Sequence, residues 1–288
     1  MGRAPDGKSG GAQPSALSQR VLTALALGPL LIGTILYPAF PPFAAVLTLF
    51  LAVAAWEWAG LAGVRGPLNR AIYTGAVVSL GGLLLLTLNS DGRRLVLAAG
   101  ASLLWLGLTV LIARVQRGAE FPQWAQPMIL ALGGLVLLPF WLCICWLKLL
   151  DYRLVLALVT LIWVADTLAY FGGKRWGKRR LAPRLSPGKT WEGAASAALA
   201  APMVGGLLAF QAGDLHLLSF VALSALCLAV VAVSIVGDLF ESLLKRRASV
   251  KDSGTLLPGH GGVLDRIDSL TAAAPIFYLG VTVLVGHP

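Results

Sequence analysis

Apolar runs of bilayer-spanning length follow one another almost without interruption from position 21 to the end of the chain. An α-helix rises 1.5 Å per residue, so about 20 mostly apolar residues cover roughly 30 Å of hydrocarbon. Windows of that kind predict nine helices, at about 21–39, 42–61, 71–88, 95–113, 127–147, 154–172, 193–211, 217–237 and 270–286. Turn chemistry separates several of them: Pro41 and Pro42 mark the first junction, Asn89 to Gly92 the third and Phe121 to Gln126 part of the fourth. The expected fold class is all-α, a polytopic integral membrane protein. Residues 1–20, rich in Gly, Ser, Pro and Ala, are expected to form a flexible cytoplasmic tail, and 21–288 a single transmembrane domain. A basic start followed by an apolar run also resembles a signal peptide. The run from Val21 to Tyr37 is long enough to span, however, and lacks an evident small-residue cleavage site, so it is expected to be the first membrane helix.

Composition excludes the soluble alternatives. Hydrophobic residues make up 57% of the chain and charged residues 12%, with mean hydropathy +0.80, far too apolar for a soluble globular domain. A net charge of +10 would suggest a nucleic-acid partner in a soluble chain. Here the basic residues sit in short loops between apolar runs, where they set topology and attract phosphate, and no nucleic-acid partner is expected. The predicted helix count sorts them cleanly: of the 23 Lys and Arg residues, all but Arg93, Arg94, Lys148 and Arg153 fall on one side. That side is expected to face the cytoplasm, with the N-terminus inside and the C-terminus outside. Cys143, Cys145 and Cys227 lie within apolar segments and are expected to be small apolar residues, neither a disulfide framework nor a metal cage.

The acidic residues sharpen the picture. Glu57, Asp166, Glu192, Asp238, Asp265 and Asp268 all fall at the basic ends of their helices. A carboxylate at membrane depth costs several kcal/mol unless paired, hydrated or metal-bound, so each is a functional candidate. Two cytoplasmic loops, 173–192 and 238–268, gather the chemistry. Around the first, Asp166 closes a helix, and clustered cations lead to Ser186-Pro-Gly-Lys189-Thr190-Trp-Glu192-Gly193, in which Ser-Pro suits an N-cap and first helical turn. Carboxylate, cations, hydroxyls and glycines together are the parts of a phosphate-binding loop, although Lys and Arg alone would also serve as a topological anchor.

In the second loop Asp238 closes the preceding helix, and Asp265 and Asp268, three apart, share a face if the last helix begins nearby. Three carboxylates converging beside dense positive charge suit a hard cation such as Mg²⁺, completed by water and substrate phosphate; Mn²⁺ accepts the same oxygen geometry. An interhelical ion pair, Asp265 with Arg266 or Asp238 with Lys245, would explain any single carboxylate, and His260 is equally readable as a phosphate contact or a turn residue.

The stretch Ser242 to Asp268 resembles the signature of the phosphatidate cytidylyltransferase family: Ser-x-Leu-Lys-Arg, four residues, Lys-Asp-x-Gly, then Pro-x-His-Gly-Gly-x-x-Asp-Arg-x-Asp. The stretch Asp166 to Gly193 is similar to the family's other cytoplasmic motif, with Leu-Ala-Pro-x-x-Ser-Pro-Gly-Lys-Thr-Trp-Glu-Gly intact and Leu168 where glycine is more usual. The resemblance implies CTP and phosphatidic acid as substrates, CDP-diacylglycerol and pyrophosphate as products, and a divalent metal held by Asp238, Asp265 and Asp268. On that basis Lys189, Lys245, Arg246, Lys251 and Arg266 are expected to share phosphate charge. Asp166, Ser186, Thr190, His260, Gly261 and Gly262 complete the expected substrate site. The expected setting is a bacterial inner membrane with the site facing the cytoplasm, and the sequence is compatible with a homodimer. A transporter would place charge near mid-membrane in related halves, whereas these charges gather at one face. The Asp-x-x-Asp-Gly-x-x-Ala-Arg pattern expected of enzymes that consume CDP-diacylglycerol is absent; a CTP-dependent lipid kinase is the closer rival.

Overall fold

The computed structural model describes residues 28–214, 216–256 and 261–284. The expected tail 1–20, the first part of the expected helix 21–39, and His260 lie outside the described residues. Residues 28–36 are helical (α1). There follow α2 (Phe40–Leu61), α3 (Pro67–Thr87), α4 (Asp91–Gln116), α5 (Gln126–Leu150) and α6 (Tyr152–Trp176). A short ribbon of β1 (Arg180–Ala182) and β2 (Ser186–Thr190) leads into α7 (Trp191–Ala197), α8 (Ala200–Gln211), α9 (Leu217–Arg247) and α10 (Leu264–Leu284).

Among the described residues eight helices, with α7 and α8 taken together, are long and apolar enough to cross a membrane. Each matches one of the last eight windows read from the sequence. The interruption between α7 and α8 sits four residues before Pro202, whose ring can neither donate to nor tolerate the carbonyl of Ala198. Large apolar side chains remain exposed along α3, α4 and α8, among them Leu86, Leu103 and Phe210, as expected of faces turned to lipid. All three cysteines are free and buried.

Aromatic packing fixes the position of α9. Phe240 lies edge-on to Trp105 of α4 with ring centroids 5.7 Å apart, and it is tilted against Trp58 of α2 at 6.2 Å and Trp124 at 6.4 Å. Such pairs contribute about 0.5–1.5 kcal/mol each beyond the area they bury. Trp58 also donates its indole N–H to the Ile129 carbonyl at 2.8 Å, tying α2 to α5.

Cross-chain bonds divide the bundle into two ends. At one, Gln126 donates to the Ala62 carbonyl, Arg184 to the carbonyls of Val115 and Ala119, and Arg247 to that of Trp124. At the other, buried Lys148 donates to the carbonyls of Ile35 (2.5 Å) and Tyr37 (2.9 Å) and satisfies the exit of α1. The basic loops assemble at the first end.

Two local expectations are corrected. Ser186-Pro187 forms the start of a strand and not a helix cap; β1 and β2 pair antiparallel, Ala182 with Ser186 and Arg180 with Thr190. The cap is Thr190, whose hydroxyl accepts from the Gly193 N–H at 3.1 Å. Asp238 does not close its helix: α9 continues to Arg247, so Asp238, Glu241 and Lys245 share one helical face instead of lying in a loop.

Candidate active site

The cavity of interest, about 470 Å³, is walled by α6, the β-ribbon, α7 and α9, and it contains Asp166, Lys189 and Asp238. Each wall has a local cause. Glu192, in the first turn of α7, accepts from the backbone N–H groups of Lys178 (3.0 Å) and Arg179 (3.2 Å) and so clamps the exit of α6 to the entry of α7. The N–H of Trp191 donates to the Arg179 carbonyl at 2.9 Å. With Thr190 capping α7, the side chain of Lys189 is delivered to the cavity side by side with α9.

There its ammonium meets Asp238 at 2.5 Å, with the two side chains 27% and 31% exposed, so the pair is open to a ligand entering the cavity. Ser242 donates to the other oxygen of Asp238 at 3.4 Å. Asp166 stands within electrostatic reach of both Lys189 and Asp238, and Asp268 of the same two groups from α10. Three carboxylates thus surround the one ammonium of Lys189. Arg180 and Lys174 line the same cavity nearer its rim. What brings Asp238 and Asp268 together is Gly237: a Cβ there would lie 2.5 Å from the Asp268 carbonyl oxygen, so only glycine lets α9 and α10 touch at this level.

Asp265 faces elsewhere. One carboxylate oxygen takes Lys245 at 2.6 Å; the other accepts from the N–H of Gly262 (2.8 Å) and from the N–H (2.9 Å) and hydroxyl (3.0 Å) of Ser253. The bond to Gly262 reaches back three residues, as in a capping box. Lys245 also pairs with Glu241 at 2.9 Å. Of the three carboxylates expected to share one cation, Asp265 is therefore taken up here by Lys245, Ser253 and Gly262. Among the described residues no three His, Cys, Asp or Glu side chains are grouped to hold a metal ion. Asp265 is turned aside because the turn preceding α10 supplies its N–H donors.

The remaining expected residues scatter around these two clusters. Ser186 opens β2 and Thr190 caps α7. Arg246 donates to the Leu185 carbonyl at 3.4 Å and secures the ribbon turn. Lys251 and Arg266 are exposed, Gly261 has φ +79°, and Gly262 is spent on Asp265. Residues not assigned from sequence also enter: Glu241, one turn from Asp238; Ser253, between two carboxylates; Arg180, at the cavity; and Glu57, among the membrane-depth carboxylates but without a partner that spacing could reveal. For Glu241 the signal was present, since it stands three residues after Asp238 and four before Lys245.

Residues 18–284 match the model of the Cytidylyltransferase family. The phosphatidate cytidylyltransferase of Pseudomonas aeruginosa is 43% identical, over 91% of this chain and 95% of its own length. That of Haemophilus influenzae is 37% identical, over 91% of this chain and 97% of its own. With a match over residues 18–284 and both motif regions inside it, the chain belongs to the Cytidylyltransferase family.

Proposed function

We propose that this chain transfers the cytidylyl group of CTP to phosphatidic acid, releasing pyrophosphate and leaving CDP-diacylglycerol in the bilayer. The activity named for its relatives supports this reading. The observation that carries it is the Lys189–Asp238 pair, 2.5 Å apart in a cavity that also holds Asp166 and Arg180. In the reaction an oxygen of the lipid phosphate attacks the α-phosphorus of CTP, and the bond from that phosphorus to the bridging oxygen of pyrophosphate breaks. The lipid phosphate is already ionised at neutral pH, so no side-chain nucleophile is needed; two polyanions must be aligned and their charge neutralised. Lys189 would release part of its hold on Asp238 and contact phosphate, with Arg180 and Lys174 meeting the charge nearer the rim. Lys245, held by Glu241 and Asp265, would keep the start of α10 in place beside it.

The divalent ion implied by the family, Mg²⁺ or in its place Mn²⁺, fits Asp238 and Asp268. Mg²⁺ ordinarily takes one or two carboxylates and fills its octahedron with water and phosphate oxygens, and Asp238 and Asp268, within electrostatic reach of each other, would supply those two. Bound there, it would neutralise charge on the transferring phosphate. Asp265 would support this arrangement through Lys245. The site is proposed to face the cytoplasm of a bacterial inner membrane. CTP is soluble there, whereas the acyl chains of the lipid leave the bilayer only at about 0.8 kcal/mol per CH₂.

Product identity tests the reading. Purified protein in mixed micelles receives phosphatidic acid with CTP labelled at either the α- or the γ-phosphorus. The α-label is expected in lipid and the γ-label in pyrophosphate; a γ-labelled lipid with release of CDP would make the protein a kinase instead.

A further inference from the structure

Glu57 lies in α2, far in sequence from both motif regions, yet it is 4% exposed and its carboxylate is fully engaged by the segment that leads into α10. Its Oε1 accepts from the Val263 N–H at 3.0 Å, and its Oε2 from the Leu264 N–H at 2.8 Å and the Ser253 hydroxyl at 3.0 Å. The first N–H groups of a helix have no partner within it and favour an anion, so α2 supplies to α10 the cap that its own preceding turn does not. The fit is close: a Cβ on Gly254 or Gly262 would collide with the Glu57 carboxylate, which accounts for glycine at both places in the family-like motif.

Ser253 lies 3.0 Å from both Glu57 and Asp265, so the chain of contacts runs from Glu57 through Ser253 to Asp265 and on to Lys245 and Glu241. The described residues on either side of 257–260 are thereby referenced to α2, as is the first turn of α10, which also carries Arg266 and, one turn on, Asp268.

We infer that Glu57 is a positioning residue for nucleotide binding: it holds residues 251–254 and 261–264 against α2 so that Lys251 in this segment and Arg266 just beyond it meet the triphosphate. This rests on the cytidylyl-transfer reading. The nucleotide is expected to feel the loss more than the lipid, because the cavity walls of α6, α7 and α9 are built without Glu57.

Glu57→Gln is the informative variant, since it keeps size and shape. Either orientation of the amide sets its NH₂ group against a backbone N–H, that of Val263 or that of Leu264, so neither flip restores the cap. Ser253→Ala is the companion; it removes the hydroxyl that bridges Glu57 and Asp265 and leaves in place both cap bonds and the backbone N–H bond from residue 253 to Asp265. In purified, folded protein Glu57→Gln is expected to raise KM for CTP about tenfold and to weaken equilibrium binding of CTP to the same extent, with KM for phosphatidic acid changed less than twofold. Ser253→Ala is expected to show the same split at about threefold. A merely structural Glu57 would lower the yield of folded enzyme and the melting temperature while leaving KM for CTP in the folded fraction unchanged. That result, or equal rises in KM for both substrates, would overturn the inference. If Glu57→Gln does not fold, an unchanged KM for CTP in Ser253→Ala would do so. Failure of the native protein to form a CDP-lipid would instead remove the functional reading beneath it.

Discussion

Replacing Lys189 by methionine removes one charge from the cavity while keeping a chain of similar length. A unit charge about 4 Å from a phosphate oxygen, at an effective dielectric constant of about 20, contributes about 4 kcal/mol. Neighbouring cations and water would recover part of this, leaving about 3 kcal/mol of lost transition-state stabilisation, or roughly a hundredfold in rate. Folding should suffer much less. The pair with Asp238 is about a third exposed on each side, and ion pairs of that kind contribute about 1 kcal/mol or less. The assay is initial-rate formation of CDP-lipid by detergent-purified protein, beside thermal unfolding of the same preparations. Lys189→Met is expected to lose about a hundredfold in kcat/KM with its unfolding temperature within a few degrees of native. Lys189→Arg should recover only part, because the planar guanidinium cannot occupy the same point beside Asp238. A methionine variant within threefold of native kcat/KM, or one whose loss follows its unfolded fraction, would refute the reasoning.

Gly237→Ala places a Cβ 2.5 Å from the Asp268 carbonyl and should destabilise the α9–α10 contact by about 1–3 kcal/mol. Thermal melting reads the loss, and activity should fall with it as Asp238 and Asp268 separate. Thr190→Ala removes the cap of α7 and should cost about 1 kcal/mol, which Thr190→Ser restores; equal melting temperatures for Ala and Ser would argue against the cap. Chelation by EDTA should abolish cytidylyl transfer and added Mg²⁺ should restore it, whereas unaffected rates in metal-free buffer would remove the ion from Asp238 and Asp268.

The membrane helices were legible because their signal is local: twenty apolar residues in a row need no partner to be recognised. The gathering of the basic loops at one end of the bundle was legible for a related reason, since the uneven distribution of Lys and Arg is a property of the linear chain. The β-ribbon was not, because strands of three and five residues containing Pro187 and Gly188 carry no period, and their pairing depends on Glu192 clamping residues 178–179 from the next helix. The grouping of carboxylates was half legible. Helical spacing placed Asp265 and Asp268 in adjoining turns, but the direction of Asp265 is decided by a turn whose anchor, Glu57, lies 207 residues from Leu264. Spacing says which residues share an element, and contacts across such separations say where they point.

The most direct measurement is the rate of CDP-lipid formation by Asp238→Asn, purified and shown by melting to be folded, at saturating Mg²⁺, CTP and phosphatidic acid. Asp238 lines the cavity, holds Lys189 and lies within electrostatic reach of Asp268, so losing its charge should lower kcat by about a thousandfold. Turnover within fivefold of the native protein would show that the chemistry happens somewhere else.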